Sequence, residues 1–247
     1  MDPKMQMNYL DYNRKAWNHL VKSGNKWTQP VSDDVIEAAK AGKWSLVLTP
    51  SKSVPASWYA PAGSNVLGLA SGGGQQGPVL AAAGYNVTIF DNSPAQLDQD
   101  VEVATRHSLK LTTVQGDMAD LSVFPDESFD MVFIAAVMHH IDFSLHAGLL
   151  KEIYRVLKKG GRLYLFEHNP LNPVTRYLVN TCVFDKEAKL LGHRYTKNIL
   201  ESTQFKQIEN RFILFFPRSG LFAKLVKMEN KLAWLPLGGQ YMYRAVK

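Results

Sequence analysis

The feature that most constrains this sequence is a regular alternation of short apolar runs and helical stretches between residues 64 and 170. Each apolar run is bounded by Gly, Pro, Asp or Asn, which is typical of buried strands. Strands that alternate with helices predict a parallel sheet covered by helices on both faces. The predicted strands are 65–70, 86–91, 111–115, 129–135 and 162–167, and the predicted helices between them are 76–84, 94–107 and 145–157.

Both ends of the chain add elements to this alternating region. Upstream, helices are predicted over 9–23 and 32–41, the second with Ser32 as its cap, and 43–61 is predicted to be irregular. Downstream, strands are predicted over 207–217 and 239–246, with a helix over 221–233 between them. No linker or internal repeat separates a second domain, so one domain of 247 residues is expected.

Composition narrows the class of protein. Cys182 is the only cysteine, so neither an internal disulfide nor a cysteine-based zinc site can form. No apolar run approaches the roughly 20 residues of a membrane span, and the start lacks a secretory signal, so a cytoplasmic protein is expected. Residues 1–150 hold 10 Lys and Arg against 15 Asp and Glu, whereas 151–247 hold 18 against 7. The basic portion favours an anionic small molecule, a nucleic acid or a lipid headgroup surface, although an ordinary solvated face is the simpler explanation.

A glycine-rich loop follows the first predicted strand. It reads Ala70-Ser71-Gly72-Gly73-Gly74-Gln75, and such a turn lets the backbone approach a ligand at the positive end of a helix. Asp91 ends the second strand, 17 residues beyond Gly74, where a carboxylate can accept hydrogen bonds from both ribose hydroxyls. Together they predict a nucleoside-containing ligand, with a tight turn and a turn-forming aspartate as the structural alternatives.

Five ordered blocks carry a resemblance to a known family. They read VLGLASGGGQQ, VTIFDNSP, VQGDMADL, ESFDMVFIAAVMHHI and LLKEIYRVLKKGGRLYLFEHNP. Together they resemble the class I S-adenosylmethionine-dependent methyltransferases. The resemblance implies an α/β, Rossmann-like, seven-stranded and mainly parallel sheet with a reversed last strand, which the two late strands supply. It also implies an N-terminal helical cap over 1–62, a cofactor-binding core over 63–170 and an acceptor-side segment over 171–247.

The same resemblance implies which residues bind the cofactor, S-adenosylmethionine. Gly72 and Gly74 would lie under its methionine part, Asp91 would bind its ribose, and Asp117 would meet the adenine amino group, with the Met118 backbone beside the ring. The full predicted set is Ala70, Ser71, Gly72, Gly74, Gln75, Asp91, Asn92, Asp117, Met118, Ala135 and Ala136.

Two positions depart from the family's usual first motif. Gly68 stands where an acidic residue is common, and Ala70 stands where a glycine is common. A non-catalytic S-adenosylmethionine-binding protein is therefore one alternative. The other is an NAD(P)-dependent oxidoreductase, because Gly72, Gly74 and Gly77 also fit the GxGxxG spacing of dinucleotide-binding folds.

Four residues are candidates for chemistry. Positioning can supply much of the acceleration of methyl transfer, and a base is needed only for a hydroxyl or a protonated amine. His139 and His140 follow the fourth predicted strand, and Glu167 and His168 follow the fifth, at the carboxyl edge of the sheet. Their structural alternatives are a helix start and hydrogen bonding to the turn over 169–173. No metal-ligand cluster is apparent by spacing, so metal-independent transfer is expected. A small-molecule acceptor is expected rather than a nucleic acid, because residues 135–138 read AAVM where a nucleic-acid methyltransferase would carry an NPPY-type sequence.

Two further patterns have a functional and a structural interpretation. Aromatic side chains in the N-terminal part could wall the cofactor pocket, but core packing is the more common role. They are Tyr9, Tyr12, Trp17, Trp27, Trp44, Trp58 and Tyr59. The apolar and basic segment 221–234 could rest on a membrane surface, although burial against the sheet explains its pattern better.

Overall fold

The structure, a computed structural model, describes residues 3–25, 28–45, 58–182, 188–216 and 221–247. The chain divides into two compact units. Unit 1 comprises Met1–Val47 and Pro61–Val123, and unit 2 comprises Leu48–Ala60 and Phe124–Lys247. Trp27, Pro217 and most of the segment predicted to be irregular, 43–61, lie outside the described residues.

The strands belong to one seven-stranded mixed sheet in the order β3-β2-β1-β4-β5-β7-β6. Strand β7 runs antiparallel to both β5 and β6, which is the predicted reversed strand. The Rossmann-like α/β fold class is therefore confirmed. The strands are β1 Asn65–Leu69, β2 Asn86–Asp91, β3 Leu111–Gln115, β4 Phe129–Ala135, β5 Leu157–His168, β6 Lys206–Ile213 and β7 Gln240–Val246.

Eight α-helices are described. The three helices predicted inside the alternating region are present, with ends that differ by one or two residues from the predicted ones. Helix α1 begins six residues earlier than predicted. The helices are α1 Pro3–Lys22, α2 Asp33–Lys40, α3 Gln76–Ala82, α4 Pro94–Arg106, α5 Phe143–Val156, α6 Pro173–Thr181, α7 His193–Ser202 and α8 Glu229–Leu232.

In unit 1, β1 pairs with β2 and β2 with β3, all in parallel. Strand β1 is buried along almost its whole length, as expected of a central parallel strand. Helix α4 begins where predicted, because the Ser93 hydroxyl accepts a hydrogen bond from the Gln96 N–H and Pro94 occupies the first turn. Ser32 is the N-cap residue of α2, as predicted, although its side chain makes no capping hydrogen bond.

In unit 2, β4 pairs in parallel with β5, and β7 lies between β5 and β6. Helix α5 starts two residues before its predicted start, because the Asp142 carboxylate accepts a hydrogen bond from the Ser144 N–H and caps the first turn. Strand β5 begins at Leu157, earlier than predicted, because Leu157 pairs with Phe129 ahead of a shift in the ladder.

The C-terminal part differs most from the sequence predictions. Helices α6 and α7 were not predicted. The predicted helix over 221–233 is wrong for most of its length, since Leu221–Met228 is a 3₁₀-helix and only Glu229–Leu232 is α-helical. Phe222, Leu225 and Met228 recur every third residue, and that spacing matches the three residues per turn of a 3₁₀-helix.

Candidate functional site

The glycine-rich loop leaves the carboxyl end of β1 in unit 1 through a series of left-handed residues. Ala70 has φ +45°, Gly73 +107° and Gly74 +69°. The Ala70 N–H donates to the Phe90 carbonyl at 2.7 Å, which joins the loop to β2. Glycine is required at the last two positions, because a Cβ on Gly73 would lie 2.4 Å from Gln96 Oε1 and one on Gly74 would lie 2.9 Å from Pro30.

Two carboxylates of unit 1 hold successive N–H groups of this loop. Asp91 Oδ2 accepts from the Gly72 N–H at 3.0 Å, and Asp100 Oδ2 accepts from the Gly73 N–H at 3.0 Å. The second Asp91 oxygen accepts from the Ser93 N–H at 2.8 Å. Burial raises the pKa of Asp91, and burial together with the nearby charge of Asp91 raises the pKa of Asp100 well above its usual range. The charge of Asp91 therefore acts on Asp100, and both carboxylates hold the same loop.

Sequence reasoning missed Asp100. It lies on α4, whose buried residues fall at the helical spacing Gln96, Leu97, Asp100, Val103 and Ala104. An aspartate at a position that the helical spacing places on the mostly apolar, buried side of α4 is the sequence signal that could have identified Asp100. Asp100 Oδ1, Gln96 Oε1 and Gln99 Oε1 are all buried oxygens without a hydrogen-bond partner. Buried oxygens without a hydrogen-bond donor are rare in folded proteins, so a group of them beside the loop needs an explanation other than packing.

Asp117, the predicted adenine-binding residue, follows β3 and is half-buried. Its Oδ1 accepts from the Ala119 N–H at 2.9 Å, and its carbonyl accepts from the Asp120 N–H. Gly116 before it packs on Phe90, where a Cβ would lie 2.3 Å from the ring. The side chain at 117 is thus fixed at the end of β3 by a local turn, and Met118 is half-buried beside it.

Three other predicted cofactor residues make contacts within unit 1. The Asn92 amide donates to the Leu10 carbonyl at 2.8 Å, so it anchors α1. The Gln75 amide donates to the Gln29 carbonyl at 3.0 Å, and the buried Ser71 hydroxyl donates to the carbonyl of Leu69. These contacts support the loop and the chain segment beside it.

Gly68 has a structural explanation. A Cβ at this position would lie 2.8 Å from the Ile89 side chain and 3.1 Å from the Ser71 Cβ. The space that an acidic side chain would need at position 68 is therefore filled by two neighbouring residues. The packing of Ile89 and Ser71 around Gly68 therefore accounts for the lack of an acidic residue at this position.

Unit 2 brings together all four predicted catalytic residues. Glu167 is fully buried at the end of β5. Its Oε2 lies 2.7 Å from His139 Nδ1, and its Oε1 accepts from the N–H groups of Val137 at 3.1 Å and Met138 at 2.7 Å. The structural alternative, hydrogen bonding to the turn over 169–173, does not describe Glu167, because both of its carboxylate oxygens bond to the segment after β4.

The ring of His139 contacts the rings of the two other histidines of this cluster. The ring centroid of His139 is 4.1 Å from that of His140 and 5.0 Å from that of His168. Burial would raise the pKa of Glu167, but the charges of His139 and His168 and the hydrogen bonds outweigh burial and leave its pKa below the usual range. His139 is only 2% exposed, whereas His140 and His168 are half-buried.

The segment that carries His139 is held from a second side by His146, which the sequence analysis did not single out. Its Nε2 lies 3.0 Å from the Met138 carbonyl, and its Nδ1 lies 3.0 Å from the Tyr195 hydroxyl. Burial lowers the pKa of His146, which favours the neutral ring. His139 lies in the 3₁₀-helix Met138–His140, which agrees with the structural alternative that this residue belongs to a helix start.

Ala135 and Ala136 mark the end of β4. Ala136 adopts a left-handed conformation, with φ +54°, and its N–H donates to the Phe166 carbonyl at 2.8 Å. This backbone turn directs the chain from β4 into the histidine-containing segment. A small side chain at a left-handed position limits the steric cost of the turn.

Several N-terminal aromatic residues pack as core. Trp44 packs edge-on against Tyr85 in unit 1. In unit 2, Tyr59 stacks on Tyr164, and Trp58 lies under the guanidinium of Arg211 at 4.6 Å. Tyr12 is largely exposed and Trp17 is half-buried. The side chain of Tyr9, like Trp27, lies outside the described residues.

Within the described ranges, no group of three or more His, Cys, Asp or Glu could hold a metal ion. In the same ranges, no helix combines the length and the apolar character needed to cross a membrane.

Comparison with known proteins finds similarity to methyltransferases. Residues 67–165 match the family model described as a methyltransferase domain. The chain is 50% identical over 161 residues to the uncharacterized methyltransferase YbaJ of Bacillus subtilis. The aligned region covers 65% of this chain and 62% of that protein. The chain is 30% identical over 164 residues to the ubiquinone/menaquinone biosynthesis C-methyltransferase UbiE of Bradyrhizobium, covering 64% and 62%. The chain thus spans less than two thirds of the length of these relatives.

Solved structures share the fold at low sequence identity. A Thermotoga maritima methyltransferase titled a "possible histamine N-methyltransferase" has a TM-score of 0.63 at 18% identity, covering 94% of this chain and 98% of that one. Phosphoethanolamine N-methyltransferase 2 of Haemonchus contortus in complex with S-adenosylmethionine has a TM-score of 0.59 at 19% identity, covering 87% and 57%. The fold is that of S-adenosylmethionine-dependent methyltransferases. Sequence similarity to methyltransferases therefore extends over residues 67–165 in the family model and over 161 and 164 residues in these two relatives.

Proposed function

We propose that this protein transfers a methyl group from S-adenosylmethionine to a small-molecule acceptor. The observation that carries the proposal is the loop after β1, in which Gly73 and Gly74 are left-handed and Asp91 holds the Gly72 N–H. This loop lies inside the residues that match the methyltransferase family model. The match to the methyltransferase family model favours methyl transfer over the oxidoreductase alternative, because a glycine loop held by an aspartate suits either cofactor.

The residues of unit 1 suit the proposed cofactor. A carboxylate has about four lone-pair positions, and Asp91 accepts from the N–H groups of Gly72 and Ser93 and also from that of Asn92. We assign the remaining position to a ribose hydroxyl. In this proposal Asp117 and Met118 meet the adenine, and Gly72 and Gly74 give the methionine part a surface without side chains.

The histidine cluster of unit 2 supplies the acceptor side of the proposal. S-adenosylmethionine supplies an electrophilic methyl group, so the protein has to orient the acceptor and accept a proton where the acceptor carries one. His168 is the histidine that we assign to that proton, since it is half-buried whereas His139 is nearly enclosed. Glu167 is a positioning residue in this scheme, because it is fully buried and acts through His139 and His168.

The nature of the acceptor is a further part of the proposal. The excess of Lys and Arg over Asp and Glu after residue 150 favours an anionic acceptor, and it would also favour peripheral contact with an anionic lipid surface. The absence of a second cysteine fits a protein of the reducing cytoplasm, where we place it. Names of relatives do not identify the acceptor, because each match covers only part of the relative.

The experiment that tests the proposal is calorimetric titration of the purified protein with S-adenosylmethionine, S-adenosylhomocysteine and NADH. Micromolar binding of the two adenosyl compounds without NADH binding is the expected result, and a preference for NADH would overturn the proposal. A screen of anionic and neutral acceptors then follows transfer of a labelled methyl group. Tight cofactor binding with no transfer across acceptor classes would support the non-catalytic alternative.

A further inference from the structure

An exposed apolar face lies on α6 in unit 2. Only Thr175 and Val179 of this helix are buried. The outward side carries Val174, Tyr177 and Leu178, which are 64%, 67% and 60% exposed. Three large apolar side chains at i, i+3 and i+4 form one contiguous stripe on a helix. Scattered exposed apolar residues are ordinary, but a contiguous patch marks a surface that contacts something.

The start of α6 is hydrogen-bonded to the loop that precedes β7, and this loop also exposes apolar side chains. The Asn172 amide donates to the Leu237 carbonyl at 2.7 Å, and the Thr175 hydroxyl donates to the Gly239 carbonyl at 2.9 Å. These bonds fix the start of α6 beside the loop. The loop exposes 74% of Trp234 and 52% of Leu237. The resulting surface, here called the apolar-basic surface, comprises Leu171, Val174, Tyr177, Leu178, Trp234 and Leu237.

The exposed charges of the segments that carry this surface are all positive. In 171–182 and 221–239 they belong to Arg176, Lys224, Lys227 and Lys231. The one carboxylate in these ranges, Glu229, is 1% exposed, and its Oε1 accepts the N–H groups of the loop after β6. Within these two ranges, the exposed aromatic and aliphatic side chains are therefore accompanied by exposed positive charges alone.

We propose that the apolar-basic surface binds an anionic lipid surface. Tyr and Trp are favoured where an apolar body meets headgroups, and nearby Lys and Arg are attracted to anionic lipids. A second copy of the chain is disfavoured as the occupant, because it would bring like charges together. The inference stands on the surface alone and does not depend on methyl transfer. It differs from the sequence-based suggestion, which named the segment 221–234 alone, in placing α6 at the centre of the contact.

The test is co-sedimentation of the full chain with vesicles of phosphatidylcholine alone and of phosphatidylcholine with phosphatidylglycerol at about 3:1. Binding is expected to be at least tenfold stronger to the anionic vesicles and to weaken with salt, since screening shortens the reach of surface charges. Tyr177→Glu should reduce binding by at least tenfold. Lys227→Gln combined with Lys231→Gln should reduce binding to the anionic vesicles several-fold.

The matched control is Val123→Glu, which places the same charge on a 61% exposed apolar residue of unit 1 and should bind as the parent does. No binding to either vesicle, or equal binding by parent and Tyr177→Glu, would overturn the proposal. The proposal would also be overturned if sedimentation velocity showed a dimer that Tyr177→Glu abolishes, while the parent protein did not sediment with either kind of vesicle. Titration of every variant with S-adenosylmethionine separates this outcome from failure of the proposed function, since Tyr177 is remote in sequence from the glycine loop and exposed.

Discussion

The carboxylate of Glu167 and the Nδ1 atom of His139 lie 2.7 Å apart, and their side chains are 0% and 1% exposed. The other oxygen of Glu167 accepts the N–H groups of Val137 and Met138. One carboxylate therefore fixes both an imidazole and the backbone that presents it. Because charged partners outweigh burial in lowering the pKa of Glu167, this contact also contributes to stability as long as the carboxylate is ionised.

Replacing Glu167 by Gln should lower both stability and turnover. The variant keeps the size of the side chain but leaves His139 without its charged partner, and breaking such a buried pair costs about 3–5 kcal/mol. The folded-state pKa of Glu167 lies below its ordinary value of 4.5, so the parent should lose stability as the pH falls below about 4.5. Urea unfolding from pH 3 to pH 7 should show a smaller acid loss in the variant.

The exposed Glu201 on α7 is the matched control for this experiment. Glu201→Gln should unfold like the parent at every pH. Unfolding curves of Glu167→Gln that superimpose on those of the parent would show that the Glu167 contact contributes nothing to stability.

His168→Ala should slow methyl transfer much more than it changes the affinity for S-adenosylmethionine. General base catalysis contributes typically 10²–10⁴-fold, and His168 is one of the two half-buried histidines of the cluster. The measurement is kcat with the identified acceptor, beside calorimetric titration with the cofactor. His193→Ala, on a half-buried histidine outside the cluster, is the control. Equal rates for His168→Ala and the parent would make His168 structural.

Asp91→Ala should weaken S-adenosylmethionine binding by roughly tenfold to a hundredfold, equivalent to about 1.4–2.8 kcal/mol. The substitution removes the proposed ribose acceptor and also the bonds to the Gly72 and Ser93 N–H groups. Calorimetric titration measures the effect, and Asp98→Ala, at an exposed position on α4, should bind as the parent does. An unchanged dissociation constant in Asp91→Ala would remove this residue from the site.

The sequence predicted the cofactor-binding half of the fold closely, and physical reasons explain why. Strands β2, β3 and β4 begin and end at the predicted residues. Each is a short apolar run next to a residue that breaks or caps structure, so local chemistry decides its limits. Ser93 and Pro94 likewise fix the start of α4 through contacts that span only three residues.

The features that were missed depend on contacts between residues distant in sequence. Glu167 bonds to residues 28 to 30 positions earlier, and the Asp100 carboxylate reaches Gly73, 27 positions earlier. No local pattern shows which way such a side chain points. Helix α6 escaped prediction because its exposed face is apolar, so the usual contrast between a buried apolar side and a polar side is weak.

Asp100→Asn should change how stability depends on pH. The folded-state pKa of Asp100 is well above its ordinary value of 3.8, so between those two values the folded protein binds more protons than the unfolded chain. Stability contributed by this group is therefore present at low pH and is lost as the pH rises through that window. Asparagine keeps an acceptor for the Gly73 N–H without a charge, so the variant should lose less stability between pH 4 and pH 8.

Urea unfolding at a series of pH values measures this effect, and Asp98→Asn on the exposed side of α4 is the control. Asp100→Ala, which removes the acceptor as well, should cost about 1–3 kcal/mol because it leaves the Gly73 N–H with one acceptor fewer. Identical pH slopes for parent and Asp100→Asn would contradict a raised pKa at this position.

Gly74→Ala should damage both the loop and cofactor binding, whereas Gly160→Ala should affect stability alone. Both glycines are left-handed, at φ +69° and +75°, and an alanine there costs about 1–2 kcal/mol. They differ in surroundings, because a Cβ on Gly74 would lie 2.9 Å from Pro30, whereas a Cβ on Gly160 would meet no atom within 4 Å beyond the adjoining residues. Denaturant unfolding should therefore show a larger loss for Gly74→Ala, and only that variant should bind S-adenosylmethionine more weakly. Equal losses of stability with unchanged affinity in both variants would show that close packing at Gly74 has no part in shaping the binding loop.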